Sequence, residues 1–276
     1  MAPTSDVVHE DVTYLERGGA PPLARVYRPA GAAGPLPALV DVHEGAWRWF
    51  DRTADAHFDR ALAASGMLVV ALDFRMAPAH RWPASLDDVR AGVRFVRANA
   101  ARLGASKGPL GLIGGSSGGQ LALVAALAPG SPEARAAYAL PLWPIADPFA
   151  RYRYAKARLG EAQPEGERFF APERLVRAQE EHFGDEETMR RASVPRMLDD
   201  GDFEQLPPLW VAHPELDRNV TLAMTQDWVA KYRARGGSVE LEVFPGVGHG
   251  FANFPGPDAD RCIARMRDFV ARQLAP

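Results

Sequence analysis

Short apolar runs alternate along the chain with longer segments in which apolar residues recur at helical spacing. The runs are rich in Val, Leu, Ile and aromatic residues and are bounded by Gly, Pro and Asp, which is typical of strands. Strands that alternate with helices predict an α/β protein with a mostly parallel sheet flanked by helices. Eight strands are predicted, at Asp11–Leu15, Leu23–Tyr27, Ala38–Val42, Leu68–Leu72, Leu110–Ile113, Tyr138–Leu142, Leu209–Ala212 and Val239–Phe244.

The predicted helices lie between these strands or after the last of them. Five are predicted, at Thr53–Ser65, Ser85–Arg102, Ser117–Leu127, Leu222–Arg235 and Ala259–Leu274. More than sixty residues separate the sixth strand from the seventh, too many for a simple crossover. We therefore expect a single domain over residues 1–276, with a cap inserted at about 145–206. Within this insertion, the basic segment Asp147–Lys156 is predicted to be a solvent-exposed helix face, with a place at the mouth of the cap as the alternative.

Composition and charge narrow the class of partner. The chain has 276 residues, of which 47% are hydrophobic and 24% charged, and its formal net charge is −3. Without an excess of basic residues there is no summed field to hold nucleic acid or an anionic membrane. The sequence shows neither a secretory signal pattern nor an apolar stretch of about 18 residues, so we expect a cytoplasmic protein.

The segment LGLIGGSSGGQLALVAAL combines a strand, a glycine-rich turn and a helix. Within it, Gly114–Gly118 fits the G-x-S-x-G pattern, which places Ser116 on a sharp turn between strand and helix. Such a turn exposes the hydroxyl, and the flanking glycines remove side chains that would clash. No G-x-G-x-x-G or G-x-x-x-x-G-K-[ST] register fits these glycines. The pattern therefore predicts a serine nucleophile rather than a phosphate-binding loop.

A serine hydroxyl becomes a good nucleophile when a base accepts its proton and a carboxylate orients that base. His249 follows the last predicted strand between two glycines, and Asp217 follows the strand before it. Both then lie at the carboxyl edge of the sheet, where α/β proteins place their sites. The sequence therefore predicts a triad of Ser116, Asp217 and His249. Glu215 is the alternative to Asp217, because either carboxylate could reach a nearby imidazole.

The oxyanion of a tetrahedral intermediate requires preorganised hydrogen-bond donors. The loop after the third strand reads HEGAW from residue 43 and occupies the position of known oxyanion loops. We assign the backbone N–H groups of Gly45, Ala46 and Ser117 to the oxyanion hole. The HE pair also begins the H-E-x-x-H zinc pattern, but Trp47 stands where that pattern requires its second His. We therefore expect no metal and no cofactor.

Together these motifs resemble the α/β-hydrolase superfamily, and within it the hormone-sensitive-lipase-like or acetyl-esterase branch, of the fold-3 type. The resemblance rests on HEGAW, LVVALDFRMAPAHRWPASLDDV, GGSSGGQLAL, ELDRNV and GHGF, and it extends from about Pro35 to the C-terminus. It implies an esterase that cleaves small acyl esters, with a small-molecule ester as partner and a monomer or homodimer as the assembly. The alternatives are an arylformamidase or another amide or peptide hydrolase, and a non-catalytic ligand-binding protein on the same fold.

Two departures from the family pattern concern the substrate pocket. Glu44 stands where relatives carry the first glycine of H-G-G-x-W. Its carboxylate either touches the pocket and disfavours anionic substrates or faces outward and anchors the loop. Residues 48–50, Arg-Trp-Phe, are bulky where relatives often carry small residues, so we expect a narrow pocket that prefers acyl chains of roughly two to six carbons. The predicted pocket wall consists of Glu44, Trp47, Trp49, Phe50, Trp143 and Phe251. A position in the core or on the surface is the alternative for any one of the aromatic residues.

Overall fold

A computed structural model describes residues 6–16, 21–162 and 170–275 of the chain. Its strands are β1 (Val7–Thr13), β2 (Leu23–Pro29), β3 (Leu36–Val42), β4 (Leu68–Leu72), β5 (Ala105–Gly115), β6 (Tyr138–Leu142), β7 (Leu209–Pro214) and β8 (Val239–Phe244). They form one sheet with the order β1-β2-β4-β3-β5-β6-β7-β8. β2 pairs antiparallel with β1 and β4, and the other neighbours pair in parallel. The mostly parallel eight-stranded sheet predicted from the sequence is thus confirmed.

Helices cover both faces of this sheet. They are α1 (Ala56–Ala64), α2 (Ala84–Ala98), α3 (Ala100–Leu103), α4 (Ser116–Leu127), α5 (Pro148–Lys156), α6 (Pro172–Phe183), α7 (Glu186–Arg191), α8 (Val194–Asp200), α9 (Leu222–Ala234) and α10 (Pro257–Leu274). α1 and α10 share one apolar core with one face of the sheet, whereas α2, α4 and α9 share the core on the opposite face. Among the described residues, none of the helices has the length and apolar character required to cross a membrane.

The central strands and α4 form the most deeply buried part of the molecule. Every residue of β4 and β6 is buried, as expected for parallel strands that are covered on both faces and therefore consist of continuous apolar runs. All twelve residues of α4 are also buried. α4 directly follows β5, so its first residue, Ser116, lies at the carboxyl edge of the sheet, close to its middle.

Several predicted elements have different limits in the structure; β5, for example, begins at Ala105 instead of Leu110. β1 spans Val7–Thr13, whereas the predicted strand was Asp11–Leu15. The prediction differs because this edge strand is largely exposed and its sequence has no clear apolar alternation. Its register is instead visible in its contacts with β2, including an ion pair of Asp11 with Arg25 at 2.7 Å. The helix predicted at Ser85–Arg102 is divided into α2 and α3 at residue 99.

Between β6 and β7, in the stretch where we predicted a cap, the described residues form four helices, α5 to α8. They are joined to the rest of the fold by packing of α8 on α9 and by a hydrogen bond from the side-chain amide of Gln120 in α4 to the Ala192 carbonyl oxygen, 3.1 Å long. Residues of α5 and α6 line the cavity described below. The role of this segment as a cap remains a prediction.

Candidate active site

Ser116 lies on the turn between β5 and α4, in a backbone conformation that is unfavourable for a residue with a side chain. Its φ is +50°, in the left-handed region, which costs roughly 1–2 kcal/mol for an L-residue. The turn brings α4 very close to β3, since a Cβ on Gly118 would stand 1.8 Å from the Val42 carbonyl oxygen. Only glycine permits this approach, which explains the last position of the G-x-S-x-G pattern.

Ser116, His249 and Asp217 converge through two hydrogen bonds. The His249 Nε2 lies 2.9 Å from the Ser116 Oγ, and the His249 Nδ1 lies 2.8 Å from the Asp217 Oδ2. A carboxylate can only accept hydrogen bonds, so the Nδ1 carries the proton and the Nε2 is available to accept the serine proton. The Asp217 Oδ1 accepts the N–H groups of Asn219 and Val220 at 2.8 and 2.9 Å, which holds the carboxylate in place.

Glu215, the alternative acidic residue, points elsewhere. Its side chain is exposed, and its Oε2 accepts the N–H of Gly246 at 2.9 Å. Glu215 thus joins the loop after β7 to the loop after β8. The structure brings Asp217, and not Glu215, to the imidazole of His249.

The loop after β3 has an unusual run of left-handed residues. The φ values of Gly45, Ala46 and Trp47 are +112°, +53° and +58°. The Gly45 carbonyl oxygen accepts the N–H groups of residues 48 and 49, and a Cβ on Gly45 would stand 2.0 Å from the Trp49 carbonyl oxygen. Glycine is therefore required at position 45. Glu44, by contrast, has no positive φ, so its side chain is accommodated without this strain.

His43 anchors the start of this loop. The residue is buried, its ring stacks on Phe74 with centroids 4.2 Å apart, and its Nδ1 donates to the Glu44 carbonyl oxygen at 2.7 Å. Burial lowers the pKa of His43, so the ring is neutral at physiological pH. Gly45 and Ala46 then follow along the wall of the cavity that contains Ser116. Ser117 lies in the first turn of α4, where helix N–H groups have no intrahelical acceptor. The oxyanion-hole role of these three residues remains a prediction.

A cavity of about 130 Å³ opens in front of Ser116 and His249. Three residues of the predicted pocket wall, Glu44, Trp49 and Phe50, line it. The remaining lining residues are Gly45, Ala46, Arg151, Ala171, Arg174, Leu175 and Asn219. The cavity is thus bounded by the loop after β3 on one side and by α5, α6 and the loop after β7 on the other.

The other three predicted wall residues, Trp47, Trp143 and Phe251, do not line this cavity and belong to the core. Trp47 is fully buried, and its indole N–H donates to the Gln120 side-chain oxygen at 3.1 Å. Trp143 is also fully buried and packs against Phe251 with ring centroids 5.2 Å apart. A buried indole requires an acceptor for its N–H. The acceptor for Trp47 is Gln120, and the acceptor for Trp143 is the carboxylate of Glu44.

Glu44 is buried on the cavity wall. The residue is 4% exposed, and its Oε2 accepts the indole N–H of Trp143 at 3.3 Å. Burial raises the pKa of Glu44, and the proximity of His249 partly opposes this rise. The outward-facing position that we considered for Glu44 is therefore wrong, whereas its effect on anionic substrates remains a prediction.

Arg151 and Asn219 line the cavity, but the sequence did not single out either residue. For the segment that contains Arg151, a place at the mouth of the cap was only the alternative. The basic segment 147–156 was expected to face solvent, and Arg153 does so, but Arg151 is 1% exposed. A signal for this burial is present in the sequence. The buried residues of α5 are Pro148, Arg151, Tyr152 and Ala155. Their spacing of three and four residues defines one inward stripe of the helix, and Arg151 lies on it.

The sheet order, the serine on the β5–α4 turn and the histidine and aspartate on later loops define an α/β-hydrolase fold. The chain belongs to the alpha/beta hydrolase fold family, whose sequence profile matches residues 39–253. The family predicted from the motifs is thereby confirmed.

Three relatives illustrate the similarity. Over 234 residues, the chain is 28% identical to esterase LipC of Mycobacterium tuberculosis, an alignment that covers 79% of this chain and 53% of LipC. Over 107 residues, it is 38% identical to carboxylesterase NlhH of the same species, covering 37% of this chain and 32% of NlhH. The structure of a hyperthermophilic esterase from the archaeon Pyrobaculum calidifontis superposes with a TM-score of 0.77 at 26% identity, covering 94% of this chain and 83% of that chain. The aligned part of this chain thus spans about half the length of LipC and about a third of NlhH.

Proposed function

We propose that this chain is a serine hydrolase that cleaves carboxylic esters with short acyl groups. The observation that carries the proposal is the pair of hydrogen bonds on the His249 ring, 2.9 Å to Ser116 and 2.8 Å to Asp217. A general base must lie within roughly 2.6–3.2 Å of the atom whose proton it accepts, and the His249 Nε2 meets this requirement. The names of the three relatives, all esterases, support an ester rather than an amide as the substrate.

In the proposed mechanism, the His249 Nε2 accepts the hydroxyl proton as the Ser116 Oγ attacks the carbonyl carbon of the ester. The carbonyl oxygen becomes an oxyanion, which accepts hydrogen bonds from the N–H groups of Gly45, Ala46 and Ser117. The C–O bond to the alcohol then breaks, and the alcohol leaves with the proton from His249. Water attacks the acyl-enzyme while His249 accepts a proton, and the carboxylic acid leaves as the serine hydroxyl is restored.

Asp217 has two tasks in this scheme. Its hydrogen bond selects the tautomer of His249 that leaves the Nε2 free to accept a proton, and its charge stabilises the imidazolium that forms. The backbone N–H groups of Asn219 and Val220 keep the carboxylate oriented. Asp217 is thus a positioning residue that acts through His249.

The size of the cavity supports short acyl groups. Its volume of about 130 Å³ is below the roughly 300–1,000 Å³ of pockets that enclose drug-sized ligands. Trp49 and Phe50 limit it on one side, and Leu175 limits it on the other. A four-carbon acyl ester should therefore react faster than a twelve-carbon ester of the same alcohol, and the reverse order would contradict this part of the proposal.

The central test is the Ser116→Ala variant. Because the attacking oxygen is lost, kcat/KM for 4-nitrophenyl butyrate should fall at least about 10⁴-fold. The Ser238→Ala variant is the control and should keep full activity, because it removes an exposed hydroxyl just before the start of β8. A serine-directed phosphonate should label Ser116 alone, as measured by peptide mass spectrometry. Full activity of Ser116→Ala, or a label on another residue, would overturn the assignment.

The same assay separates the alternative functions. N-formylkynurenine and an aminoacyl anilide are assayed beside 4-nitrophenyl butyrate at equal enzyme concentration. Faster turnover of either amide would favour an arylformamidase or a peptide hydrolase over an esterase. If neither the four-carbon nor the twelve-carbon ester gives a burst of acyl-enzyme, a ligand-binding protein without catalytic activity would be favoured.

A further inference from the structure

Arg151 places a buried positive charge on the wall of the cavity. The residue is 1% exposed, yet it lines the same space as Ser116 and His249. Its guanidinium donates from the Nε and the Nη2 to the Asn219 Oδ1, at 3.0 and 2.5 Å, and from the Nη1 to the Gln179 Oε1 at 2.7 Å. The guanidinium is thus held in one orientation by three hydrogen bonds.

Both acceptors of these hydrogen bonds are neutral amides. Within the described part of the chain, no Asp or Glu forms an ion pair with Arg151. Burial lowers the pKa of Arg151 to about 9, although the nearby Asp217 opposes this effect. Asp217 is itself engaged by His249. Burying a cation without an ion-pair partner costs desolvation free energy. An anion that entered the cavity and bound Arg151 would offset part of this cost.

The guanidinium also has free capacity to bind. It carries five N–H groups, of which three donate to Asn219 and Gln179. One N–H on each Nη of Arg151 therefore has no acceptor among the residues that the structure describes. Guanidinium and carboxylate groups match in shape and form paired hydrogen bonds that are stronger than those between neutral groups. A carboxylate is therefore the ligand that best fits these two donors.

A second arginine extends the positive charge toward the mouth of the cavity. Arg174 of α6 is exposed, lines the cavity and lies over the Trp49 ring, with its guanidinium carbon 4.0 Å from the ring centroid. Glu44, the acidic residue among those that line the cavity, lies elsewhere on the wall, where its carboxylate is next to Trp143 and Gly115. The side of the cavity formed by α5 and α6 is thus cationic, and two positive charges there attract an anionic ligand.

We propose that the natural substrate is an ester that carries a carboxylate, and that this carboxylate binds Arg151 while the ester carbonyl faces Ser116. The proposal rests on the proposed esterase function and names its substrate class. Two kinds of short ester meet the description. One is the monoester of a dicarboxylic acid, with the carboxylate on the acyl side, and the other is the acyl ester of a hydroxy acid, with the carboxylate on the alcohol side.

The test compares pairs of esters that differ only in charge. Monomethyl succinate is compared with methyl succinamate for the acyl side, and acetoxyacetate with acetoxyacetamide for the alcohol side. Hydrolysis is followed in a pH-stat. For one of the two pairs, kcat/KM of the wild-type protein should be about tenfold or more higher for the carboxylate than for the amide. The pair that shows this preference identifies the side of the ester that faces Arg151.

Two variants locate the preference. Arg151→Gln should reduce the carboxylate-to-amide ratio to about one or below, because the amide side chain has no charge. Arg153→Gln, two residues along the same helix on its exposed face, is the matched control and should keep the wild-type ratio. Each ratio is measured within one protein sample, so it does not depend on the fraction of folded protein. A merely structural role of Arg151 would lower the rates for both esters equally and leave the ratio unchanged.

The outcomes separate this proposal from the proposed function. Hydrolysis of the neutral esters without any preference for a carboxylate would overturn the proposal and leave the esterase function standing. Failure of the wild-type protein to hydrolyse any ester would overturn both. A preference that survives in Arg151→Gln would also overturn the proposal. If that variant does not fold, competitive inhibition of the wild-type protein decides. Succinamate carries one carboxylate and succinamide carries none, so equal inhibition by these two compounds would exclude a carboxylate site.

Discussion

Three carboxyl groups are buried near one another, and we expect their contribution to the stability of the folded protein to fall as the pH rises from acidic to neutral. Asp41, Asp55 and Asp59 are 0%, 1% and 0% exposed. In the described part of the chain, neither carboxyl oxygen of Asp59 has a hydrogen-bond partner. Burial raises the pKa of Asp59 well above its ordinary value of 3.8, and the nearby Asp55 raises it further. The pKa values of Asp41 and Asp55 are raised for the same reasons.

The sign and size of the effect follow from proton linkage. Above pH 3.8 the unfolded chain loses the Asp59 proton, whereas the folded chain retains it up to a much higher pH. The folded state then binds more protons, so the free energy of unfolding falls as the pH rises. A single carboxyl group in this window contributes a slope of about −1.4 kcal/mol per pH unit. The stabilisation is complete at acidic pH and is lost as the pH rises toward the folded-state pKa.

Asp59→Asn tests this reasoning, because it removes the titration and keeps the size of the side chain. The free energy of unfolding, measured by urea titration with circular dichroism from about pH 5 to about pH 8, should depend less steeply on pH, by up to about 1.4 kcal/mol per unit. Near neutral pH the variant should be more stable than the wild-type protein. Asp268→Asn, on the exposed face of α10, is the control and should leave the slope unchanged. An unchanged slope in Asp59→Asn would refute the argument.

Two further changes test the active-site loops. Gly118→Ala should abolish ester hydrolysis and lower the free energy of unfolding by about 1–3 kcal/mol or more, because its Cβ would stand 1.8 Å from the Val42 carbonyl oxygen. Gly108→Ala, whose nearest neighbour would be a side-chain oxygen at 3.5 Å, should change neither quantity. Glu44→Gln should raise kcat/KM for an ester with a carboxylate by up to about fivefold relative to its amide counterpart, through loss of like-charge repulsion. An equal change for both esters would show that Glu44 does not act on substrate charge.

The sheet could largely be predicted from the sequence because most of its strands are buried. β4 and β6 consist of unbroken apolar residues, and their predicted limits match the structure. β1 is an edge strand that is exposed on much of its surface, so hydrophobicity carries little information about its register. Its position depends on pairing with β2 and on side-chain contacts such as that of Asp11 with Arg25, which connect residues far apart in sequence.

The residues that converge at the candidate site could be predicted, but most of the cavity wall could not. Ser116, Asp217 and His249 each follow a strand, and the carboxyl ends of parallel strands meet at one edge of the sheet. The direction of an aromatic side chain in a loop depends instead on local φ and ψ. Trp47 has a φ of +58° and is buried, whereas Trp49, two residues later, lines the cavity. Apolar character alone does not distinguish these two positions.

The buried position of Glu44 depends on the absence of a side chain at Gly115. A Cβ on Gly115 would stand 3.2 Å from the Glu44 Oε2 and 3.2 Å from the Trp143 Nε1. The glycine that precedes Ser116 therefore leaves the space in which the carboxyl group and the indole meet. Because Trp143 supplies the hydrogen bond that a buried carboxyl group requires, the loop after β3 can carry an acidic residue next to the proposed oxyanion hole. Glu44, Gly115 and Trp143 thus form one packing unit, and replacing any one of them changes the environment of the other two.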